Sequence, residues 1–215
     1  MNYWGLKMTK GYPDRAEAEK IWEQGMEYRR SRPYGFASER EYKFHSRGVG
    51  EAAGKIAEHI PDMDSEKAFV MGLLHDYGKR IKQSTEGIFH GKEGYDAMLE
   101  MGYPDVAQIC LTHTFPDKDF NERQFTFAQE WKDWAREKLK SVEYTNYDFL
   151  IAFCDKLFEE MQVVSVEGRV KGIVKRYNLG KEQKDLLLEQ SLRLKEYIDK
   201  LANKNVYEIL GIDHD

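Results

Sequence analysis

The sequence is poor in cysteine, and this scarcity excludes a small fold held together by disulfides. Its two cysteines, Cys110 and Cys154, lie far apart and form no CxxC pair. This pattern is typical of a reducing compartment, so we expect a cytoplasmic protein. Residues 1–13 contain charges and no apolar run of signal-peptide length, which favours the same expectation.

Long hydrophobic runs and basic blocks are also missing. The longest apolar runs, Phe69–Leu74 and Phe149–Cys154, are far shorter than the roughly 20 residues that cross a bilayer, so no membrane partner is expected. Lysine and arginine are scattered and the formal net charge is -5, which argues against a dedicated nucleic-acid binder. Apolar residues still make up 41% of the 215 residues, enough to bury a sizeable core.

Alternating strand patterns, internal repeats and low-complexity tracts are absent, whereas helical periodicity runs through most of the chain. We therefore predict an all-α fold that forms a single domain over residues 1–215. An N-terminal helix is expected at about 13–30 and a C-terminal helical extension at about 165–204, the latter with helices at 166–177 and 181–202. Between them, Tyr147–Glu160 is predicted to be one helix, and Gly78 to form a left-handed helix cap.

Histidine is the residue type that points to chemistry. The chain has six of them: His45, His59, His75, His90, His113 and His214. His45, His90 and His113 each lie on the apolar face of a predicted helix. His75 lies at a helix end. These imidazoles should converge in the interior, where metal coordination offsets the cost of burying them, and imidazole with carboxylate suits iron, manganese or zinc.

Two histidines are expected to stay outside this group. His59 follows His45 on the same predicted helix by fourteen residues, which is about 21 Å at 1.5 Å per residue. The two cannot share a metal, so His59 is predicted to be a helix-end or surface residue. His214 lies among the last residues of the chain, where fraying is common.

The order His45, then His75-Asp76, then Asp155 resembles the defining pattern of the HD superfamily of metal-dependent phosphohydrolases. The segments LLHDYGK, HGKEGY and LTHT, which contain His75-Asp76, His90 and His113, occur in the order typical of this superfamily. The resemblance covers about residues 40–160. It implies an HD-domain helical bundle with a core at about 38–162 and extra helices at both ends. It also implies a ligand set for two metals: His45, His75, Asp76, His90, His113 and Asp155.

Within that superfamily, the chain is most similar to bacterial hydrolases that split diadenosine tetraphosphate symmetrically. The resemblance implies that Asp76 bridges two divalent ions, iron or manganese in the first place, with zinc, magnesium or nickel as alternatives. It further implies a metal-activated hydroxide that attacks a small phosphorylated substrate, a nucleotide or dinucleoside polyphosphate. Asp76 and Lys79 are the predicted catalytic residues. For Lys79, a solvated helix-end position is an equally open interpretation.

Several other residues near the motifs allow both a functional and a structural interpretation. Lys156, Arg169, Lys175 and Arg176 lie beside or after Asp155 and would supply positive charge over a phosphate, although charges on helices usually face solvent. Trp131 and Trp134 belong to an aromatic segment that would stack a nucleobase or, more commonly, fill a core. Thr114 would contact phosphate or cap a helix end. Cys110 and Cys154 are expected to be buried structural thiols.

Two rival functions remain at this stage. One is a di-iron oxygenase of the HD type that cleaves a C–C or C–P bond, which would need the same ligands. The other is a non-catalytic HD module for signalling, although such modules often lack ligands that this chain has.

Overall fold

A computed structural model of the chain describes residues 10–30, 39–81, 90–118 and 129–212. Helices provide nearly all the regular structure of these ranges, which confirms the all-α prediction. They are α1 (Arg15–Arg30), α2 (Glu39–Ala57), α3 (Ser65–Leu74), α4 (Gly78–Ile81), α5 (His90–Glu100), α6 (Pro104–Thr112), α7 (Gln129–Ser141), α8 (Asn146–Cys154), α9 (Val166–Tyr177), α10 (Lys181–Ala202) and α11 (Val206–Leu210). Two short strands, β1 (Phe158–Glu159) and β2 (Gln162–Val163), pair antiparallel.

The core has two large parts on either side of the α2–α3 pair. One part joins α2, α3 and α8 with the C-terminal helices α10 and α11, and includes Ile56, Phe153 and Ile198. The other packs α1 against α3, α5 and α6. A smaller cluster places α7 against the end of α6. Helices α2, α3, α6 and α8 therefore contribute to these clusters from the centre of the bundle, and α1, α5, α7, α10 and α11 pack their apolar faces onto them.

Helices α2 and α3 cross at unusually close range because glycines meet at the crossing. A Cβ on Gly72 would lie 2.7 Å from the Cα of Gly50, closer than real side chains approach. His45 precedes Gly50 by five residues, and His75 follows Gly72 by three. Since the helices run in opposite directions here, both histidines lie on the same side of the crossing.

Two local predictions were wrong. The helix predicted at Tyr147–Glu160 ends at Cys154, after which the chain forms a short 3-10 turn, Asp155–Leu157, and then the β1–β2 hairpin. The apolar pattern continues past this end because Phe158 still packs inward, its ring 2.3 Å from where a Cβ of Gly48 would lie. Glu160 and Met161 adopt positive φ in the hairpin turn, which a helix does not allow.

Gly78 does not form the predicted left-handed cap but begins α4. Glycine is needed there for space, since a Cβ would lie 1.9 Å from the carbonyl oxygen of His90. The C-terminal helices at 166–177 and 181–202 are confirmed residue for residue, and each is followed by a left-handed asparagine, Asn178 or Asn203. The final helix α11 was not predicted.

Candidate metal centre

Three potential ligands occupy the same position in three different helices. His75, His113 and Asp155 are the C-cap residues of α3, α6 and α8, and all three keep right-handed helical backbone angles. Asp76 follows His75 directly. The ends of the three helices therefore meet, and the side chains at these ends share one interior space.

The remaining two histidines come from other directions. His45 lies within α2 and reaches the site through the glycine crossing described above. His90 is the first residue of α5. Its carbonyl group packs against Gly78, and Gly94 one turn later packs against Cys110 of α6. These close contacts hold the start of α5 against α4 and α6.

One group of side chains surrounds His75. The Nε2 atom of His45 lies 3.3 Å from the Nε2 of His75 and 3.0 Å from Oδ1 of Asp155. The Oδ2 atom of Asp76 lies 3.4 Å from the Nε2 of His75 and 3.5 Å from that of His45. Four side chains thus direct nitrogen and oxygen atoms into one small volume, as a divalent metal requires.

A second group lies on the other side of the same carboxylate. The Nε2 atoms of His90 and His113 lie 3.3 Å apart, and they lie 3.3 and 3.6 Å from Oδ1 of Asp76. This buried oxygen accepts no hydrogen bond from the described residues. A buried carboxylate oxygen without a donor is costly unless a cation binds it, so the residues present fit a metal ion here.

The backbone sets the orientation of two imidazoles. Nδ1 of His75 lies 2.7 Å from the carbonyl oxygen of Gly72, and Nδ1 of His113 lies 2.9 Å from that of Ile109. A carbonyl oxygen only accepts, so Nδ1 donates in both cases and Nε2 faces the site. Metal-binding histidines are commonly fixed in this way through their second nitrogen.

The electrostatics of the site favour positive charge beside the carboxylates. Although burial opposes ionisation, Lys79 and His75 keep the pKa of Asp76 well below its usual range, and His45 and His75 do the same for the pKa of Asp155. Burial lowers the pKa of His75, but Asp76 and Asp155 outweigh it and raise that pKa to about 9. A divalent cation would satisfy the same preference.

The pKa of His90 shifts in the opposite direction from that of His75. Burial, together with the positive charge of Lys79, lowers the pKa of His90 to about 3. The imidazole of His90 is therefore neutral near neutral pH, which is the form that coordinates metals.

Lys79 reaches the centre from α4. Its ammonium donates a hydrogen bond of 2.5 Å to Oδ2 of Asp76, while 43% of its side chain remains exposed. Burial disfavours its charge, but Asp76 and Asp155 raise the pKa of Lys79 overall. The structure thus brings Lys79 to the carboxylate between the two histidine groups, at the edge that solvent reaches.

The other cations of the sequence analysis form no ion pair with the ligands in the described part of the chain. Arg169 and Arg176, both on α9, form ion pairs with Glu159 of β1. Lys175 is exposed on the last turn of α9. Lys156 lies in the 3-10 turn directly after Asp155 and is half-buried.

The residues expected to lie elsewhere do so where the structure describes them. His59 is exposed beyond the end of α2, as predicted. Cys110 and Cys154 are buried free thiols. Burial raises the pKa of Cys154, and the charge of Asp155 raises it further.

Trp131 and Trp134 pack against the small α6–α7 cluster and so belong to a core. His214 and the phenylalanines at 120, 125 and 127 lie outside the described residues.

Tyr42 is a supporting residue that the sequence analysis did not identify. It is buried, and its hydroxyl donates to the carbonyl oxygen of Asp76 at 3.1 Å. The indole of Trp22 in α1 donates to Ser46 at 2.8 Å, and Ser46 in turn donates to the carbonyl of Tyr42. The signal was the spacing of Tyr42 three residues before His45, on the same face of α2.

Comparison with known proteins agrees with this geometry. The family model described as HD domain matches residues 42–159, more than half of the chain. A curated protein named Ribonuclease Y 2, from Bdellovibrio bacteriovorus, is 31% identical over 93 residues, which are 43% of this chain and 17% of that protein. The chain thus matches only a small part of its relative's length. No solved structure matches the chain. None of the described helices is both long and apolar enough to cross a membrane.

Proposed function

The chain belongs to the HD-domain family, and we propose that it is a phosphohydrolase that acts on a nucleotide or a dinucleoside polyphosphate with two divalent metal ions. The observation that carries the proposal is the placement of Asp76. One of its carboxylate oxygens faces His45 and His75, and the other faces His90 and His113. A carboxylate held between two imidazole pairs suits a pair of bridged ions.

The proposed ligands divide into two sets. His45, His75, Asp155 and Oδ2 of Asp76 would hold the first ion. His90, His113 and Oδ1 of Asp76 would hold the second. The first set has two carboxylates and the second shares one, so the first position should bind a divalent ion more tightly. The mixture of imidazole and carboxylate favours iron or manganese, with zinc, nickel and magnesium as alternatives.

The chemistry follows from what each group supplies. Divalent ions at such a site act as Lewis acids that make hydroxide available near neutral pH and stabilise negative charge on phosphoryl oxygens. Asp76 would hold both metal positions at a fixed separation, because its backbone carbonyl is fixed by Tyr42 and its carboxylate is buried. Lys79 lies beside that carboxylate with part of its side chain in solvent, where it would meet an anionic substrate.

The substrate proposal begins with dinucleoside polyphosphates. It is supported by the resemblance of the residues around His75, His90 and His113 to symmetrical diadenosine tetraphosphate hydrolases, and by the position of Lys79. RNA is a second candidate, since the name of the relative from Bdellovibrio bacteriovorus is that of a ribonuclease and the similarity covers part of the HD domain. Both classes offer phosphoryl oxygens to the same ligand set.

The test is a substrate panel with the protein reconstituted with manganese or ferrous iron. The panel contains mononucleotides, cyclic nucleotides, diadenosine tetraphosphate and a short single-stranded RNA, with products separated by chromatography. We expect ADP as the sole product from diadenosine tetraphosphate, whereas AMP plus ATP would indicate asymmetrical cleavage. The matched control is Asp76→Asn, which keeps the side-chain shape and should be inactive on every substrate.

A fully metallated protein that turns over no compound of the panel would contradict the proposal. Oxygen consumption with polyols or phosphonates would then favour the di-iron oxygenase. The absence of either activity would favour the signalling module.

A further inference from the structure

Lys156 differs from Lys79, Arg169 and Arg176 because it has no partner among the described residues. Its ammonium makes no hydrogen bond or ion pair within the part of the chain that the structure describes, although the side chain is half-buried. Arg169 and Arg176 share Glu159, and Lys79 pairs with Asp76. A half-buried lysine without a counter-ion has a cost in stability that a bound anion would offset.

The surroundings place Lys156 at the rim of the metal centre. It follows Asp155 directly, in a turn that packs against α2 and α9. Burial lowers the pKa of Lys156 and the charge of Asp155 opposes this shift, while Arg169 and Asp117 are the other charges that act on its ammonium. Asp117 lies four residues after His113, in the segment that follows α6.

Neither nearby carboxylate forms an ion pair with Lys156 in the described part of the chain, since each has other partners. Asp155 accepts from His45 at 3.0 Å. Asp117 accepts from Gln190 at 2.8 Å and from Arg193 at 3.1 Å, both on α10. The positive charge of Lys156 therefore remains open to a ligand.

Arg169 adds fixed positive charge behind this position. Glu159 holds it together with Arg176, and a Cβ at Gly172 would lie 2.5 Å from the Glu159 carboxyl carbon, so α9 lies tightly on β1. One carboxylate between two guanidinium groups leaves an excess of positive charge on this side of Asp155. An excess of this kind, next to the proposed metal pair, favours a ligand with more than one phosphate.

From this arrangement we propose that Lys156 binds a substrate phosphate other than the one at the metal ions, with Arg169 strengthening the local positive potential. The inference rests on the proposed phosphohydrolase function, and it names the specificity-determining contact of the same site. It predicts a preference for substrates with two or more phosphates over monophosphates. Lys79, which donates to Oδ2 of Asp76, would contact the phosphate that reacts.

The experiment measures the binding of ADP, and separately of inorganic phosphate, to the manganese-reconstituted protein by calorimetry. Lys156→Met removes the charge but keeps most of the chain, and Lys156→Arg keeps the charge. Lys171→Met is the matched control, since Lys171 is an exposed lysine of α9. Metal content and Tm are measured for every variant.

We expect Lys156→Met to weaken ADP binding by roughly tenfold or more, the loss expected of one charge-assisted contact, while Lys156→Arg and Lys171→Met bind like the wild type. Phosphate binding should change much less, because a single phosphate is held at the metal ions. Metal content should not change, and Tm should stay the same or rise, since an unpaired charge is removed.

Three results would overturn the inference. They are equal ADP binding by wild type and Lys156→Met, no ADP binding by the metallated wild type, and a lower Tm of Lys156→Met with unchanged binding, which would make Lys156 structural. Failure of the proposed function looks different. In that case ADP binding would still depend on Lys156, but no nucleotide of the substrate panel would be hydrolysed.

Discussion

Asp76 and Asp148 are equally buried, each with 1% of its surface exposed, but their surroundings differ completely. Both oxygens of Asp148 are satisfied by the protein. Thr112 donates to Oδ1 at 2.6 Å, the backbone and hydroxyl of Thr145 donate to Oδ2 at 2.7 and 2.8 Å, and Gln108 donates to both oxygens. Asp148 thereby joins the start of α8 to α6 and supports the helices that carry Asp155 and His113.

Asp76 instead has an oxygen without a hydrogen-bond donor among the described residues, and four imidazole nitrogens lie within 3.6 Å of its carboxylate. The contrast teaches that burial alone does not separate a structural carboxylate from a functional one. The hydrogen bonds to each carboxylate do separate them, because the protein supplies donors to both oxygens of Asp148 but leaves one oxygen of Asp76 for a ligand. Substitutions at the two aspartates should therefore affect different properties.

The largest effect is expected for Asp76→Ala. Because Asp76 faces both histidine groups, the variant should lose both metal ions, and turnover should fall by at least about a thousandfold. Elemental analysis and the substrate panel measure the two losses. An Asp76→Ala variant that keeps its metals and half its activity would contradict the proposal that Asp76 bridges two metal ions.

Asp148→Ala should act on stability. It leaves the donors of Gln108, Thr112 and Thr145 without an acceptor, so we expect the free energy of unfolding to fall by about 3 kcal/mol. Chemical denaturation of the metal-free protein measures the change, and Asp76→Ala in the same state should cost less. At a temperature where it is folded, Asp148→Ala should retain its metals. Metal loss as severe as that of Asp76→Ala would break the comparison.

His113→Ala separates the two metal positions. His45, His75, Asp76 and Asp155 remain intact, so one ion should stay bound while the second position is emptied. Elemental analysis after reconstitution should therefore give about half the wild-type metal content. Complete loss of metal from this variant would show that the two positions do not bind independently.

Lys79→Ala is expected to have an intermediate effect. The loss of one charge-assisted contact costs about 1.5–3 kcal/mol, so kcat/KM should fall by roughly 10- to 100-fold while metal content and folding stay unchanged. A contact made equally in ground and transition states appears in KM, and one made only in the transition state appears in kcat. If the Lys79→Ala variant had the same kinetic constants as the wild type, Lys79 would be a solvated helix-end lysine without a catalytic role.

His59→Ala is the smallest expected change. His59 is exposed beyond the end of α2, so its removal should alter stability by less than about 0.5 kcal/mol and leave metal content unchanged. If His59→Ala lost metal as His113→Ala does, the ligand assignment would be wrong.

The sequence made the convergence of the histidines predictable, because His45 and His113 lie on apolar faces and His75-Asp76 ends an apolar helix. It did not show how the convergence is achieved. The close contacts of Gly72 and Gly78 depend on partners distant in sequence, so Gly78 was mistaken for a cap. The end of α8 was missed because Leu157 and Phe158 continue the apolar pattern beyond it.

The sequence also could not predict that the two carboxylate oxygens of Asp76 face different histidine groups. This arrangement depends on how α3 and α6 end against each other and on where α5 begins. The structural role of Asp148 carried only a weak signal, a threonine three residues before it at the start of α8. Both features are relations between helices, which the pattern within one helix does not contain.

The most direct test of the central claim is the number of divalent ions bound per chain after reconstitution with manganese and removal of free metal. The claim that Asp76 joins two metal positions predicts two ions per wild-type chain. A value of one or less for the fully reconstituted, folded wild-type protein would contradict it.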